Sequence, residues 1–309
     1  MLLNILLLII GFVLLVRGAD AFVDGSVAVA RRWHIPEIVI GLTIVAMGTS
    51  APEAAVSIAS AFHGANGVAI GNVLGSNIAN IFFILGVTAI ISVLSVGKNT
   101  VRYEIPFVGL ITLVLMWIGA QYGVVSHVGA MLLCVLFIAF LIYLFFISGD
   151  KPNDDMPTVK QMSIAKILLY VFGGIVALIF GSNITVDSAV AIASALNVSD
   201  RIIGLTVVAF GTSLPELVTC VVAASKGQSD IAIGNIVGSN IFNILFVLGV
   251  AGLIHSIPFD SAFLVDGGIA MLAVILLFAA TARSGKLTRC WGIIFVLLYV
   301  IYVGHLILV

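Results

Sequence analysis

Residues 40–86 read IGLTIVAMGTSAPEAAVSIASAFHGANGVAIGNVLGSNIANIFFILG, and residues 203–249 repeat them as IGLTVVAFGTSLPELVTCVVAASKGQSDIAIGNIVGSNIFNILFVLG. The copies align without a gap at a constant offset of 163 residues, and 26 of the 47 pairs are identical. The identities concentrate in GTSxPE and GNxxGSNIxN, which place Glu53 and Glu216 among hydroxyls, amides and glycines inside apolar segments. Because a charge is costly in such surroundings, its duplication indicates that these segments carry the chemistry of the molecule.

The composition is that of an integral membrane protein. Hydrophobic residues make up 62% of the chain and charged residues only 9%, with a mean hydropathy of +1.30. Soluble domains carry about 25% charged residues. At about 20 apolar residues per span, the 309 residues have room for about ten helices. The apolar runs are too long for barrel strands, so the predicted fold class is an all-α polytopic membrane protein.

Several other functions are excluded or disfavoured by composition. The initial run MLLNILLLIIGFVLLV lacks the basic region and cleavage site of a secretory signal, so we interpret it as the first membrane helix. The net charge of -1 predicts no nucleic-acid surface. Three unclustered cysteines indicate neither a disulfide framework nor a metal site. We expect the five scattered histidines at the membrane interface rather than as ligands. The cysteines are Cys134, Cys220 and Cys290, and the histidines are His34, His63, His127, His255 and His305.

Breaks at glycine, proline and charged clusters predict five spans in each half of the chain. The first span of each half is too long for a straight crossing of about 30 Å, so we expect tilt or a break near Gly18 and Gly181. The predicted spans are residues 2–32, 36–62, 67–93, 104–120 and 124–147, then 161–195, 200–224, 229–253, 262–281 and 288–308.

An odd number of spans in each half makes equivalent residues run in opposite directions across the bilayer. The sequence therefore predicts ten transmembrane helices as two inverted five-helix repeats, an arrangement that recurs in secondary transporters with a site near the midplane. The polar stretch SGDKPNDDMPTVKQ is the only plausible linker. The predicted domains are residues 1–147 for the first repeat, 148–160 for a short cytoplasmic linker, and 161–309 for the second repeat.

The distribution of basic residues supports the span count. With the N-terminus outside, ten spans place 11 of the 13 basic residues inside, as the positive-inside rule requires. Only Arg201 lies outside, while Arg17 falls within the first span. We therefore predict that both termini lie outside. The inside residues are Arg31, Arg32, Lys98, Arg102, Lys151, Lys160, Lys166, Lys226, Arg283, Lys286 and Arg289.

The first motif, GTSAPE, predicts a broken helix that presents oxygens. Thr49 and Glu53 stand four apart and share a helical face. Pro52 has no N–H, so the Gly48 carbonyl loses its intrahelical partner. The second copy frees the Gly211 carbonyl in the same way. Because unwound backbone is tolerated in a membrane only where it is buried or lines a cavity, we expect these oxygens to converge at one depth.

The second motif, GNxxGSNIxN, predicts a polar stripe on one face of a helix. Its two GxxxG patterns, at Gly71 and Gly75 and at Gly234 and Gly238, permit close helix contact. Such contact would bring the stripe against GTSxPE. The stripe consists of Asn72, Ser76 and Asn80 with Asn77 beside them, and of Asn235, Ser239 and Asn243 with Asn240 beside them.

These side chains favour a hard cation as ligand. Carboxylate, hydroxyl, amide and carbonyl oxygens suit Ca2+, which takes six to eight of them, whereas softer metals would ask for His or Cys. Glu53 and Glu216 match one divalent ion in charge. Na+ could use many of the same oxygens and the carboxylates could be protonated, so the residues alone leave Ca2+, Na+ and H+ open. A buried charge costs at least ~2.5 kcal/mol at the bilayer centre, and its recurrence favours function over packing alone.

Outside the motifs, acidic residues have simpler explanations. We expect Arg17, Asp20 and Asp24 to pair with one another or to snorkel, with an ion pathway as the alternative. Glu37 and Asp200 stand at predicted helix starts, where an acid favours the helix dipole.

The paired motifs resemble the two α-repeats of the cation/calcium exchanger superfamily, specifically its compact prokaryotic sodium/calcium exchangers. The resemblance implies an antiporter in a prokaryotic plasma membrane, not an enzyme. It would use the inward Na+ gradient to expel Ca2+ by alternating access, through sliding of the first and sixth spans. It implies no cofactor besides the transported ions Ca2+ and Na+, and no protein partner beyond the lipid bilayer.

The resemblance also implies a set of ion ligands. The two glutamates would share Ca2+, helped by the backbone oxygens of the two threonines, and the serines would serve flanking Na+ sites. Asparagine at both 80 and 243, where some relatives carry Asp at the latter, argues against potassium co-transport. The implied ligands are Glu53, Thr49, Ser50, Ser76, Asn80 and the Ala46 carbonyl, then Glu216, Thr212, Ser213, Ser239, Asn243 and the Ala209 carbonyl.

Three alternatives remain open from sequence. The first is Ca2+/H+ or other cation exchange within the same superfamily. The second is a cation channel, which could use the same oxygens. The third, an intramembrane enzyme, lacks a His or Lys base for its serines within the duplicated motifs; His63 within reach of Ser50 would revive it.

Overall fold

Helices make up nearly all of the structure, a computed structural model that describes residues 2–62, 66–147, 162–196 and 211–308. Apolar segments in lipid must satisfy their backbone groups internally, which helices do. The helices are α1 (Leu2–Trp33), α2 (Glu37–Thr49), α3 (Ala51–Phe62), α4 (Val68–Ile91), α5 (Thr100–Tyr122), α6 (His127–Ile147), α7 (Ile164–Ala195), α8 (Leu214–Ser225), α9 (Ser229–Ile254), α10 (Phe263–Ala282) and α11 (Arg289–Leu308).

The described residues contain eight helices long and apolar enough to cross a membrane, or up to nine if the bent pair α2 and α3 counts as one span. The predicted all-helical membrane fold is therefore confirmed. The seventh predicted span, residues 200–224, is described only from residue 211 onward, and the predicted linker lies outside the described residues.

The expected break in the two longest spans is wrong. Helices α1 and α7 each run unbroken for 32 residues, a length of about 48 Å at 1.5 Å per residue. Gly18 and Gly181 serve helix packing instead. A Cβ on Gly18 would lie 3.0 Å from the Leu178 nitrogen, and one on Gly181 would lie 2.9 Å from the Leu15 nitrogen. The glycines let the two backbones approach closely. Tilt, the other expectation for these long spans, stays a prediction.

The predicted break at GTSAPE is confirmed. Helices α2 and α3 meet at Ser50 with a bend of 53°. Pro52 lies in the first turn of α3, where its missing N–H and fixed φ favour a helix start over continuation of α2. The bend turns both Ser50 and Glu53 into the interior of the bundle, where each is at most 1% exposed.

The two helices that carry GNxxGSNIxN form the centre of the bundle. In the most apolar windows of α9 and α4, 83% and 72% of residues are buried, against 22% in α1 and 17% in α11. Turns of π-helix occur in several of the inner helices, and such turns often mark functional sites. They span Gly41–Val45, Ala79–Leu85, Thr100–Glu104 and Asn243–Val247.

Two short antiparallel strand pairs tie loops together. β1 (Leu94–Ser95) pairs with β4 (Lys286–Leu287), and β2 (Val124–Val125) pairs with β3 (Ile257–Pro258). Strand β3 begins 163 residues after β1, which is the offset of the sequence repeat. Each pair therefore joins a loop of one half of the chain to a loop of the other half.

The acidic residues of α1 have a different ion-pair partner from the expected one. Lys226, in the turn between α8 and α9, lies 2.7 Å from the Asp20 carboxylate and 2.6 Å from that of Asp24. Burial lowers the pKa of Lys226, but its hydrogen bonds to Asp20 and Asp24 outweigh burial and raise the pKa overall. Lys226 is therefore an ion-pair partner of Asp20 and Asp24 that the spacing of residues along α1 does not predict.

Candidate cation site

Both glutamates of the repeat lie at helix starts in the interior. Glu53 is in the first turn of α3 and Glu216 in the first turn of α8, and each is 1% exposed. The first turn of a helix has backbone N–H groups without intrahelical partners, and its dipole favours an anion. The local fold thus lowers the cost of placing two carboxylates among apolar segments.

Each carboxylate is held by a hydroxyl from the other copy of the repeat. Ser213 Oγ donates to Glu53 Oε1 at 3.0 Å, and Ser50 Oγ donates to Glu216 Oε1 at 2.8 Å. The two GTSxPE motifs therefore face each other in the folded chain. Hydrogen bonds of this kind fix one oxygen of each carboxylate and leave the second free to act.

Eight buried side-chain oxygens have no hydrogen-bond partner within the described structure. Four of the eight form two pairs at matching positions of the repeat. They are Oε2 of Glu53 and of Glu216, and Oδ1 of Asn80 and of Asn243. Buried polar atoms are nearly always satisfied, and leaving an acceptor unpaired costs about 1–3 kcal/mol. All four are hard oxygen donors, two of them on carboxylates, so they fit a cation such as Ca2+ or Na+.

Further polar contacts join the first GTSxPE segment to the second GNxxGSNIxN segment. Thr49 Oγ1 lies 2.9 Å from Asn235 Oδ1, and Ser239 Oγ lies 2.8 Å from Ser50 Oγ. The Ala46 carbonyl accepts from the Ser50 backbone at 3.0 Å and lies 3.5 Å from Ser239 Oγ. The polar stripe of α9 thus meets the broken helix α2, as the motif spacing predicts.

Close backbone contact makes this meeting possible. A Cβ on Gly234 would lie 2.9 Å from the Gly41 Cα, and one on Gly238 would lie 2.6 Å from the Leu42 carbonyl oxygen. The close contact predicted from the second GxxxG is therefore confirmed. Residues 201–210, which correspond to the Gly41 segment in the other copy, lie outside the described residues.

The remaining predicted ligands are placed as follows. Ser76 is buried in α4, and Asn72 of the same helix donates to Ser57 Oγ at 2.9 Å and to the Glu53 carbonyl at 3.3 Å. Thr212 is half-buried just before α8. The Ala209 carbonyl lies outside the described residues, so that prediction has no structural counterpart.

One contact of the site was not predicted from sequence. Ser182 of α7 donates to the Gly211 carbonyl at 2.6 Å. This is the carbonyl that Pro215 deprives of its intrahelical partner, so a hydroxyl from a long outer helix satisfies it. The corresponding residue of the first half is Ala19, which has no hydroxyl. A small polar residue at a glycine-lined helix contact is the signal that could have pointed to Ser182.

The fold and the candidate site together define an all-helical membrane protein with two carboxylates and several amides buried at its centre. The sequence matches the family described as Sodium/calcium exchanger protein over residues 3–146 and 166–308. The chain belongs to this family.

Relatives and a solved structure agree with this assignment over nearly the full length. The chain is 32% identical to Sodium/calcium exchanger MaX1 of Methanosarcina acetivorans, over 97% of both chains. It is 34% identical to Inner membrane protein YrbG of Escherichia coli, over 90% of this chain and 88% of that one. A structure of the sodium-calcium exchanger NCX_Mj, soaked with zero Na+ and Ca2+, matches 99% of both chains with a TM-score of 0.87 and 35% identity.

Proposed function

We propose that this chain exchanges Na+ for Ca2+ across a membrane and normally exports Ca2+ at the expense of the Na+ gradient. The observation that carries the proposal is the set of four unpartnered buried oxygens on Glu53, Glu216, Asn80 and Asn243. Two carboxylates and two neutral amides supply two negative charges, which one Ca2+ balances. Two of the similar proteins, MaX1 and NCX_Mj, are named as sodium/calcium exchangers, which supports the same function.

The ion ligands are proposed from both copies of the motif. Glu53 and Glu216 share Ca2+, while serine hydroxyls and freed carbonyls extend the oxygen set to flanking Na+ positions. Within the described part of the chain, no group of three or more His, Cys, Asp or Glu gathers as a metal cluster, so neutral oxygens complete the coordination. The neutral ligands are Thr49, Thr212, Ser50, Ser213, Ser76, Ser239, Asn80, Asn243, Ala46 and Ala209.

Ten spans in two inverted repeats remain the proposed architecture, with repeats at 1–147 and 161–309 and a cytoplasmic linker at 148–160. The crossed hydrogen bonds of the site support a two-fold relation between the halves. The strand pairs support the topology, because the ten-span layout puts β1 and β4 inside and β2 and β3 outside. We place both termini outside and the protein in a prokaryotic plasma membrane.

Transport by alternating access is proposed to involve sliding of α1 and α7 over the inner helices. The contact between α1 and α7 is lined by glycines, including Gly11, Gly18 and Gly181, so these two helices pack as a close pair. Ser182 joins this pair to the site through the Gly211 carbonyl. A movement of the pair therefore acts directly on the broken backbone beside Glu216.

We also propose that the protein is a transporter and not an enzyme. The Ser50 hydroxyl contacts the Glu216 carboxylate and the Ser239 hydroxyl. His63, the base that an intramembrane hydrolase would need, lies outside the described residues. We take the cargo to be the ions themselves, as in the family to which the chain belongs, with no cofactor and no protein partner.

The test is uptake of radioactive Ca2+ into vesicles that contain the purified protein, with Na+, K+ and H+ gradients imposed separately. We expect uptake to follow the Na+ gradient and to ignore the other two. Vesicles with the double variant Glu53→Gln/Glu216→Gln are the control for leak. Uptake that follows a pH gradient and ignores Na+ would identify a Ca2+/H+ exchanger instead, and conductance without a counter-ion would identify a channel.

A further inference from the structure

Two asparagines lie at the centre of the bundle, where α4 meets α9, and they bond to each other in a reciprocal way. Asn77 Nδ2 donates to the Asn240 carbonyl at 3.2 Å, and Asn240 Nδ2 donates to the Asn77 carbonyl at 3.3 Å. The two side chains are 3% and 1% exposed. Neither residue is among the proposed ion ligands.

The other end of each side chain holds one of the proposed ligands. Asn240 Oδ1 accepts from Asn80 Nδ2 at 2.9 Å, and Asn77 Oδ1 accepts from Asn243 Nδ2 at 3.2 Å. Both ends of Asn77 and of Asn240 are therefore in use. Rotating either amide by 180° would set donor against donor and acceptor against acceptor, so the network permits one orientation.

The fixed orientation of Asn77 and Asn240 also fixes the orientation of the amides of Asn243 and Asn80. Because Asn80 and Asn243 each donate through Nδ2, their Oδ1 atoms are the ones left unpartnered in the interior. An amide turned the other way would present an NH2 group, whose positive end repels a cation. The network thus decides which end of each ligand amide an ion meets.

Packing alone does not require this arrangement. A polar network that served only to stabilise the bundle would be expected to satisfy all of its buried members. Here the donors are used and one acceptor at each end of the network remains open. The two acceptors without a hydrogen-bond partner belong to Asn80 and Asn243, the matched residues that the proposed function assigns to ion binding.

We propose that Asn77 and Asn240 are positioning residues that hold the amide oxygens of Asn243 and Asn80 toward the transported cation. The proposal rests on the proposed function for the identity of the cation. It adds that the affinity for Ca2+ depends on two residues that do not touch the ion, each acting on the ligand of the opposite repeat.

The test is a double-variant cycle read by Ca2+ binding to the purified protein. Binding is followed as the rise in melting temperature with increasing Ca2+ after chelation. We expect Asn77→Ala and Asn243→Ala each to weaken Ca2+ binding about five- to tenfold. This is the change in affinity that corresponds to the loss of one hydrogen bond or one neutral ligand. The variant Asn77→Ala/Asn243→Ala should be no weaker than Asn243→Ala alone, because Asn77 acts through Asn243.

A matched control is Thr88→Val. Thr88 is fully buried in α4, and its hydroxyl bonds to the Ile84 carbonyl of its own helix at 2.7 Å. This variant loses a buried hydrogen bond of the same helix without touching the network. Its Ca2+ affinity should equal that of the wild type, while its ion-free melting temperature reports the cost of a structural bond.

Two results would overturn the inference. One is wild-type Ca2+ affinity in Asn77→Ala, and the other is a double variant weakened by the product of the two single effects. If Asn77→Ala does not fold, Asn240→Ala with Asn80→Ala gives the same test through the other repeat. Because binding is measured without a Na+ gradient, loss of Na+-driven exchange alone contradicts the proposed function, whereas loss of the predicted non-additivity contradicts the positioning role.

Discussion

The Ser50 hydroxyl donates a 2.8 Å hydrogen bond to Glu216, although 166 residues separate the two in sequence. Ser213 makes the equivalent bond to Glu53 at 3.0 Å. Each carboxylate is therefore oriented by the helix break of the other repeat. If either broken helix moves, the orientation of the carboxylate in the other repeat must change. The geometry of the whole site therefore depends on the relative position of the two repeats.

Removing the Ser50 hydroxyl should weaken Ca2+ exchange. Ser50→Ala deletes the bond to Glu216 and the contact with Ser239, and a hydrogen bond to a charged group contributes about 1.5–3 kcal/mol. We expect the apparent Ca2+ affinity in vesicle uptake to fall about tenfold or more. The control is Ser60→Ala in the same segment, whose hydroxyl donates to the Val56 carbonyl at the exposed face. Equal affinities for the two variants would contradict the cross-repeat role of Ser50.

Neutralising either carboxylate of the repeat should abolish Ca2+ exchange. Glu53→Gln and Glu216→Gln keep the size of the side chain but remove half of the negative charge that balances Ca2+. Initial uptake rates should fall to the level of protein-free vesicles. Surface expression and ion-free melting temperature check that the fold survives, because a change to a buried charged group can shift stability in either direction.

A third buried glutamate provides the matched control for charge neutralisation. Glu104 is 2% exposed, and its carboxylate accepts a hydrogen bond from the Tyr143 hydroxyl at the contact between α5 and α6. Glu104→Gln keeps an acceptor for Tyr143 and lies outside the motifs. We expect near wild-type exchange; an equal loss in all three variants would show that buried charge, rather than the paired site, is what transport requires.

Duplication marks the members of the candidate site in the sequence, and their role as ion ligands stays a prediction. Glu53 and Glu216, the helix break at Ser50 and the close contact of the second GxxxG all follow from residue types and spacing. These are local properties, since i and i+4 positions share a face wherever a helix forms. The broad helical architecture follows from the length of the apolar runs for the same reason.

Contacts between distant segments are the part that the sequence does not predict. Spacing gives the face on which Ser182 lies but not that the Gly211 carbonyl is within 2.6 Å of it. Likewise Asp20 and Asp24 have Arg17 nearby in sequence, yet their partner Lys226 is more than 200 positions away. The length of α1 suggests tilt or a break, whereas the helix is continuous from Leu2 to Trp33 and packs closely against α7. Each outcome depends on which helices become neighbours.

Adding Ca2+ should raise the melting temperature of the wild-type protein. In ion-free detergent solution the unpartnered oxygens of Glu53 and Glu216 remain buried and uncompensated. A ligand that binds only the folded state adds about 2.7 kcal/mol of stability at a hundredfold excess over its dissociation constant. Melting curves recorded with a chelator and with increasing Ca2+ should therefore shift upward by several degrees. Glu53→Gln/Glu216→Gln should show no shift, and an equal shift in that variant would place the stabilising Ca2+ elsewhere.

Replacing Gly234 with alanine should separate α9 from α2 and impair both stability and exchange. The new Cβ would lie 2.9 Å from the Gly41 Cα and 2.9 Å from the Ile38 carbonyl oxygen, so backbone must move. Overpacking of this kind costs about 1–3 kcal/mol, and the movement also lengthens the distance between Ser50 and Ser239. Gly268→Ala in α10 is the control, because a Cβ there meets nothing within 4 Å in the described structure and alanine favours helix by about 1 kcal/mol. Melting temperature and Ca2+ uptake should both fall for Gly234→Ala and be maintained for Gly268→Ala; identical behaviour of the two would show that the glycine contact does not position the site.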